Sequence, residues 1–170
     1  MKKILFVLLI LLGSMYAVNA QRYAIVDSKY ILEKLQDYRD AQTKLDNFSA
    51  QWEKEIDQKQ SNLDRMYKEY EAEQVMLSDE LKKKREDQLY NLEKELRDLQ
   101  RKRFGFEGDL FKKRQELIKP IQDRVYNAIQ KIAVQRSYDF ILDKSEGITV
   151  IFADPKLDKS EDVLKELGVK

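Results

Sequence analysis

Apolar residues recur every three or four positions along most of the chain, which is the spacing of an amphipathic helix. Residues 28–77 contain no Gly and no Pro, and a second pattern of this kind covers residues 79–137. Ser78 can cap the second helix, and the two acids after it complement the helix dipole. The pattern predicts two long antiparallel helices joined by a turn near residues 78–80.

Two glycines and a proline interrupt the second helical pattern. Gly105 and Gly108 each lower helix stability by about 1 kcal/mol relative to Ala. Pro120 kinks or restarts a helix, because proline lacks the N–H that the helix needs. We expect both glycines to lie inside the helix and residues 105–120 to act as a hinge.

The two predicted helices carry matching apolar positions. With a turn centred on Asp79, residue i of the first helix faces residue 158 − i of the second, and apolar residues then meet across the hairpin to within one position. Their steps of three and four are those of a coiled-coil seam. The predicted seam consists of Phe48, Trp52, Leu63, Met66, Leu92, Leu96, Phe106 and Leu110. Within it we expect Trp52 to pack against Phe106 as an aromatic pair.

Charged residues interrupt this seam. Lys59, Glu73, Arg85 and Arg103 stand where a rigid coiled coil carries Leu or Ile, and Glu73 mirrors Arg85. Because exposed ion pairs contribute only about 0–1 kcal/mol, we expect a soft arm that can bend and splay.

Beyond residue 20, the two ends of the chain have the pattern of β-strands. Residues 23–26 form a short apolar run that stops at a helix cap, and residues 138–142 and 148–152 flank a turn at 144–147. The latter pair is typical of a β-hairpin. A short capped helix ending at Leu167 is expected to follow it.

These elements define the expected domain organisation and fold class. We expect a mainly α protein, in which residues 31–137 form a helical hairpin arm that projects from a small β-containing body of residues 21–30 and 138–170. The predicted core of the body is Ile25, Val26, Ile141 and Val150. Three short strands are marginal alone, so we expect this body to mediate oligomerisation.

Residues 1–20 are typical of a signal peptide. Two lysines precede an apolar run over residues 4–12, which is shorter than the ~20 residues that span a bilayer. Val-Asn-Ala at 18–20 fits a small-x-small cleavage site. We expect cleavage after Ala20 and a soluble, exported protein; the alternative is an uncleaved anchor helix.

The composition excludes several classes of function. The chain has no Cys and no His, which excludes Cys/His zinc sites and His-dependent catalytic triads. Loss of the two lysines in residues 1–20 from 32 Lys+Arg, against 31 Asp+Glu, leaves a net charge of −1. This balance argues against nucleic-acid binding. We expect no enzymatic activity, no metal and no cofactor.

The predicted tip of the hairpin carries a basic cluster of Lys82, Lys83, Lys84 and Arg85. Such a cluster gains about 1 kcal/mol per charge near an anionic surface, so it could contact anionic membrane lipid or acidic segments of another protein. The alternative is a solvated helix end, since acidic residues flank the cluster on both sides.

A second apolar stripe lies one residue round from the seam. Tyr90, Phe104, Phe111 and Ile118 recur at multiples of seven. Exposed apolar surface of this kind often marks an interaction site, so these residues are candidates for binding another protein chain, called the client below. The alternative is that the helix rotates and buries them.

The order and spacing of these segments resemble the Skp (OmpH-like) family of periplasmic chaperones. Residues 23–28 followed by 30–32 look like the first strand and helix entry of that family. Residues 117–121 are similar to the segment before its last long helix, and residues 138–143 and 147–155 look like its closing strands. The resemblance covers essentially the whole mature chain.

This resemblance implies a homotrimer in which three helical hairpins surround a cavity that holds unfolded outer-membrane proteins, without enzymatic activity or nucleotide. The first functional hypothesis is therefore an ATP-independent periplasmic holdase. The second is a structural coiled coil that scaffolds components of the cell envelope, which would need a stiffer seam than this one.

Overall fold

The computed structural model describes residues 21–145, 147 and 150–169. The predicted signal peptide and residues 148 and 149 of the last predicted strand lie outside them. The elements in chain order are β1 (Tyr23–Val26), α1 (Ser28–Lys34), α2 (Gln36–Glu73), α3 (Asp79–Phe104), α4 (Asp109–Leu117), α5 (Lys119–Gln135), β2 (Phe140–Asp143), a 3-10 turn (Pro155–Leu157) and α6 (Ser160–Glu166). The prediction of a mainly helical chain with long helices and a small sheet is confirmed.

The chain divides into two compact units. Among the described residues, the terminal unit combines those up to Ile31 with those from Tyr126 onward, and the hairpin unit spans Leu32–Val125. No helix in the described part of the chain is long and apolar enough to cross a bilayer.

A parallel strand pair lies at the centre of the terminal unit. β1 pairs with β2 in the register Tyr23 with Phe140 through Val26 with Asp143. On its other side, the carbonyl of Ile25 accepts a hydrogen bond from the Lys159 N–H. The unit buries Ala24, Ile25, Val26, Ile31, Ala128, Ile132, Val163 and Leu164. Apolar segments from the two ends of the described chain thus pack together. The local sequence pattern predicts each segment but not their pairing.

The predicted β-hairpin is wrong over the described residues. β2 pairs with β1 in parallel, and residues 150–152 form no strand. Ile151 and Phe152 are 95 % and 85 % exposed. Ile151 and Phe152 therefore bury little of their apolar surface within this chain, since β2 pairs with the distant β1.

The first long helix has a break that the sequence pattern missed. Leu35 is extended, with φ −79° and ψ 126°, and separates α1 from α2. The Arg39 guanidinium donates a hydrogen bond to the carbonyl of Glu33 (2.6 Å) and so satisfies an acceptor that the end of α1 leaves free. The Arg39 side chain thus replaces the backbone N–H that a further turn of helix would supply. Because no Gly or Pro marks this position, the sequence pattern did not predict the break.

The turn between α2 and α3 occupies residues 74–78, slightly earlier than the predicted 78–80. Ser78 caps α3, since its hydroxyl oxygen accepts a hydrogen bond from the Leu81 N–H at 3.4 Å. The predicted capping role of Ser78 is confirmed.

The second helical pattern is divided into three helices. α3 ends at Phe104 and α4 begins at Asp109, so Gly105 and Gly108 lie between helices and not inside one. A Cβ at Gly105 would lie 2.3 Å from the Arg101 carbonyl oxygen, so the chain turns where only a glycine fits. Pro120 is the second residue of α5, where its missing N–H costs no helical hydrogen bond.

Candidate functional site: the seam of the hairpin unit and its glycine turn

The tip-proximal half of the hairpin unit has an apolar core shared by α2 and α3. Leu63, Leu89 and Leu96 are buried, and Ile56, Met66, Tyr70 and Leu92 pack against them half-buried. The register follows the mirror relation expected from the sequence to within about two positions. Residues of α2 and α3 contribute together to this core, as in a coiled-coil seam.

Polar contacts close this half at the tip. The Tyr70 hydroxyl donates to the Glu86 carboxylate at 2.6 Å, and that hydrogen bond is the main reason why the pKa of Tyr70 is raised. Glu73 and Arg85 lie 3.9 Å apart. Both contacts join α2 to α3 at their ends next to the turn.

Aromatic residues fill the other half of the seam. Trp52 is buried and stacks on Phe48, with 5.6 Å between the ring centres. Phe104 meets Trp52 edge-on at 6.4 Å. The predicted pairing of Trp52 with Phe106 is wrong, because α3 ends at Phe104 and Phe106 is 97 % exposed.

Arg103 connects three helices around the glycine turn, which we define as residues 105–108. Its guanidinium donates to Asp109 on α4 at 2.7 Å and to Glu55 on α2 at 3.0 Å. It also lies 4.9 Å from the ring centre of Trp52, within range of a cation–π contact. The hydrogen bond to Asp109 is the main cause of the raised pKa of Arg103. Arg103 therefore joins α2, α3 and α4 at a position where the sequence pattern predicted a weak point in the seam.

The predicted client-binding stripe is only partly exposed. Tyr90 is 61 % exposed and Phe111 47 %, whereas Phe104 is 38 % exposed and packs on Trp52. Ile118 is only 5 % exposed, so its predicted place on an open surface is wrong. The regular spacing of seven fails there because Ile118 lies at the junction between α4 and α5.

The predicted basic tip is partly neutralised by neighbouring acids. Lys82 lies 4.0 Å from Asp79 and Arg85 pairs with Glu73. Within the described residues, Lys83 and Lys84 form no ion pair. The sequence pattern missed the apolar side of this tip, where Val75 is 87 % and Met76 84 % exposed. The signal was available, since an apolar pair in a turn has no helix face to bury it.

Two half-buried carboxylates of the terminal unit accept hydrogen bonds from neighbouring segments. Burial opposes ionisation of Asp143 and Asp158, yet the pKa of each is lowered by hydrogen bonds: from Ser28 and Ser145 to Asp143, and from Lys144 and Ser160 to Asp158. The Asp143 carboxylate accepts from the Ser28 N–H at 3.1 Å, at the start of α1. Across the described residues, no cluster of three or more carboxylates is arranged to hold a metal ion.

The predicted core residues of the body differ in burial. Ile25 and Val26 are buried, whereas Ile141 and Val150 are half-buried. Tyr23 and Phe140 stack with 5.6 Å between ring centres and are 41 % and 44 % exposed. The terminal unit thus presents apolar surface beside its own core.

Comparison with known proteins gives three findings. The model of the family described as "Outer membrane protein (OmpH-like)" matches residues 22–167. An uncharacterized protein of Aquifex aeolicus (strain VF5) is 28 % identical over 98 % of this chain and 96 % of its own. A crystal structure from Caulobacter crescentus CB15, provisionally assigned as an OmpH-like outer membrane chaperone, shares the fold with a TM-score of 0.68 and 15 % identity, over 86 % of this chain and 83 % of that one.

Proposed function

The chain belongs to the OmpH-like family, and we propose that it is an ATP-independent periplasmic holdase that binds unfolded outer-membrane proteins and prevents their aggregation. The observation that carries this proposal is the apolar surface of the hairpin unit. Tyr90, Phe106 and Phe111 are all more than 45 % exposed amid charged residues. Exposed apolar side chains that are separated along the surface can each make a weak contact with an unfolded chain.

Self-association into a homotrimer is the second part of the proposal. In the described residues the outer edge of β2 pairs with no strand, and such edges accept further strands. The exposed Ile151 and Phe152 and the stacked Tyr23–Phe140 pair supply apolar area in the same unit. In a trimer this surface would be buried between copies, and the hairpin units would enclose the client.

Export and lipid contact complete the proposal. Cleavage after Ala20 would release the protein to the periplasm. The tip residues Val75 and Met76, beside Lys83 and Lys84, would allow transient contact with anionic lipid. These contacts would keep the chaperone near the membrane that its clients enter.

Aggregation of an unfolded β-barrel protein tests the holdase role. The client is diluted from urea into buffer with increasing amounts of the mature protein and no nucleotide, and light scattering is followed. We expect suppression at near-stoichiometric ratios. Unchanged scattering at every ratio would contradict the proposal, and light-scattering mass in the same buffer tests the trimer.

A scaffolding coiled coil is the competing function, and the Arg103 contacts favour it, since they stiffen the seam. It predicts stable binding to one folded partner and no affinity for unfolded chains. The same client assay with a folded β-barrel as competitor separates the two functions.

A further inference from the structure

Several contacts constrain the backbone of the glycine turn. The Gly108 N–H donates to the Gly105 carbonyl at 2.9 Å, and a Cβ at Gly108 would lie 2.8 Å from the Lys102 carbonyl oxygen. Glu107 has φ 53°, a left-handed value that costs a non-glycine residue free energy. Outside the turn, Arg103 and Asp109 are hydrogen-bonded across it. The turn is therefore a constrained connection and not a slack loop.

Phe106 belongs to the glycine turn, and its side chain is exposed to solvent. It is 97 % exposed and lies between two helices that the Arg103–Asp109 ion pair joins, two residues before and one residue after the turn. The backbone that carries this ring is already constrained. Binding a partner there therefore costs the turn little further conformational entropy.

The charges around Phe106 are predominantly positive. Arg101, Arg103 and Lys113 are paired with Asp98, Asp109 and Glu116. In the described part of the chain, the flanking Lys102, Lys112 and Arg114 form no ion pair, and Glu107 is the unpaired acid among them. Arg103 also pairs with Glu55, so these charges together leave an excess of one positive charge around the turn, although the whole chain is near neutral.

We infer that the glycine turn is an anchor site for unfolded segments in which an aromatic side chain stands beside Asp or Glu. The ring packs on Phe106, since aromatic pairs are favoured beyond their burial. An acid beside that ring would be attracted by Lys102, Lys112 and Arg114, the unpaired cations that flank the turn in sequence. This inference deepens the proposed holdase function and rests on it.

Binding of short disordered peptides to the full mature protein tests the site. Three fluorescent peptides of equal length are used: one with Phe beside Asp, one with Phe beside Lys and one with Ser in place of Phe. The first is expected to bind more tightly than the other two. Phe106→Ser should weaken it by about tenfold, as expected for losing one partly buried aromatic contact, with circular dichroism unchanged.

Val75→Ser is the matched control, because Val75 is also an exposed apolar residue in a turn between helices. It should leave the affinity for the Phe–Asp peptide unchanged. Equal affinity for all three peptides, or an equal loss in both variants, would overturn the inference. Wild-type protein that suppresses client aggregation but shows either of these results keeps the holdase role and loses the anchor site; failure to suppress aggregation rejects the holdase role itself.

Discussion

The guanidinium of Arg103 and the carboxylate of Asp109 lie 2.7 Å apart on opposite sides of the glycine turn. The two residues belong to α3 and α4, so their ion pair bridges the point at which the long helical pattern breaks. Glu55 and Trp52 of α2 contact the same guanidinium. One side chain therefore ties the broken helix to its neighbour.

Loss of Arg103 should destabilise the hairpin unit. Arg103→Ala leaves the half-buried Glu55 and Asp109 without their shared donor, and we expect a loss of about 1–3 kcal/mol in the free energy of unfolding. Arg103→Lys should recover only part of it, since an ammonium cannot form the same fork. Urea denaturation followed by circular dichroism measures both.

Arg101→Ala provides the control for Arg103. The Arg101 side chain is 78 % exposed and its ion pair spans 3.9 Å, so its loss should change stability by no more than about 0.5 kcal/mol. Equal effects of the two alanine variants would show that Arg103 does not bridge the helices.

Gly105→Ala should also be destabilising. The added methyl would meet the Arg101 carbonyl oxygen at 2.3 Å, and backbone cannot move aside as a flexible side chain does. We expect a loss of about 1–3 kcal/mol, measured as a lower urea midpoint. Gln115→Ala, an exposed change on α4, is the comparison. A Gly105→Ala protein as stable as this control would mean that the turn is free to rearrange.

Substitutions of Ile118 and Phe111 should have different effects on stability and on client binding. Ile118→Ser removes a buried side chain and should cost about 2–5 kcal/mol of stability. Phe111→Ser changes a half-exposed side chain, so stability should hold while suppression of client aggregation weakens. Thermal unfolding and light scattering are measured on both proteins. Strong destabilisation by Phe111→Ser with intact suppression would assign Phe111 to the core.

The terminal unit should lose stability in acid. The pKa values of Asp143 and Asp158 are lowered in the folded protein, so the folded state binds fewer protons than the unfolded state. Their stabilisation is complete above the unfolded value of about 4 and disappears as pH falls through the lower folded values. Asp143→Asn should flatten the acid limb of a plot of unfolding midpoint against pH. An unchanged limb would exclude a contribution from Asp143.

The hairpin could be read from the sequence because its signals are local. Helical spacing, the cap at Ser78 and the mirror relation of Leu63 with Leu96 all depend on short-range pattern. The failures arise where a distant contact decides the outcome. β2 bonds to β1 across the chain, and Arg39 ends α1 without a glycine.

The candidate surface was predicted less well for the same reason. The expected places of Phe106 and Ile118 assume one continuous helix from residue 79 to 137. The breaks at Gly105–Gly108 and at Ile118 shift the helical phase, which exposes one of these residues and buries the other. The exposed Val75 and Met76 follow from the turn at 74–78, which lies earlier than the cap alone suggests.

Equilibrium binding of a fluorescently labelled, urea-unfolded β-barrel protein to the mature protein, without nucleotide, tests the holdase account most directly. The same barrel, folded in detergent micelles, serves as the comparison under matched detergent. The account predicts saturable binding of the unfolded form and none of the folded form. Equal binding of both forms, or no binding of the unfolded one, would contradict it.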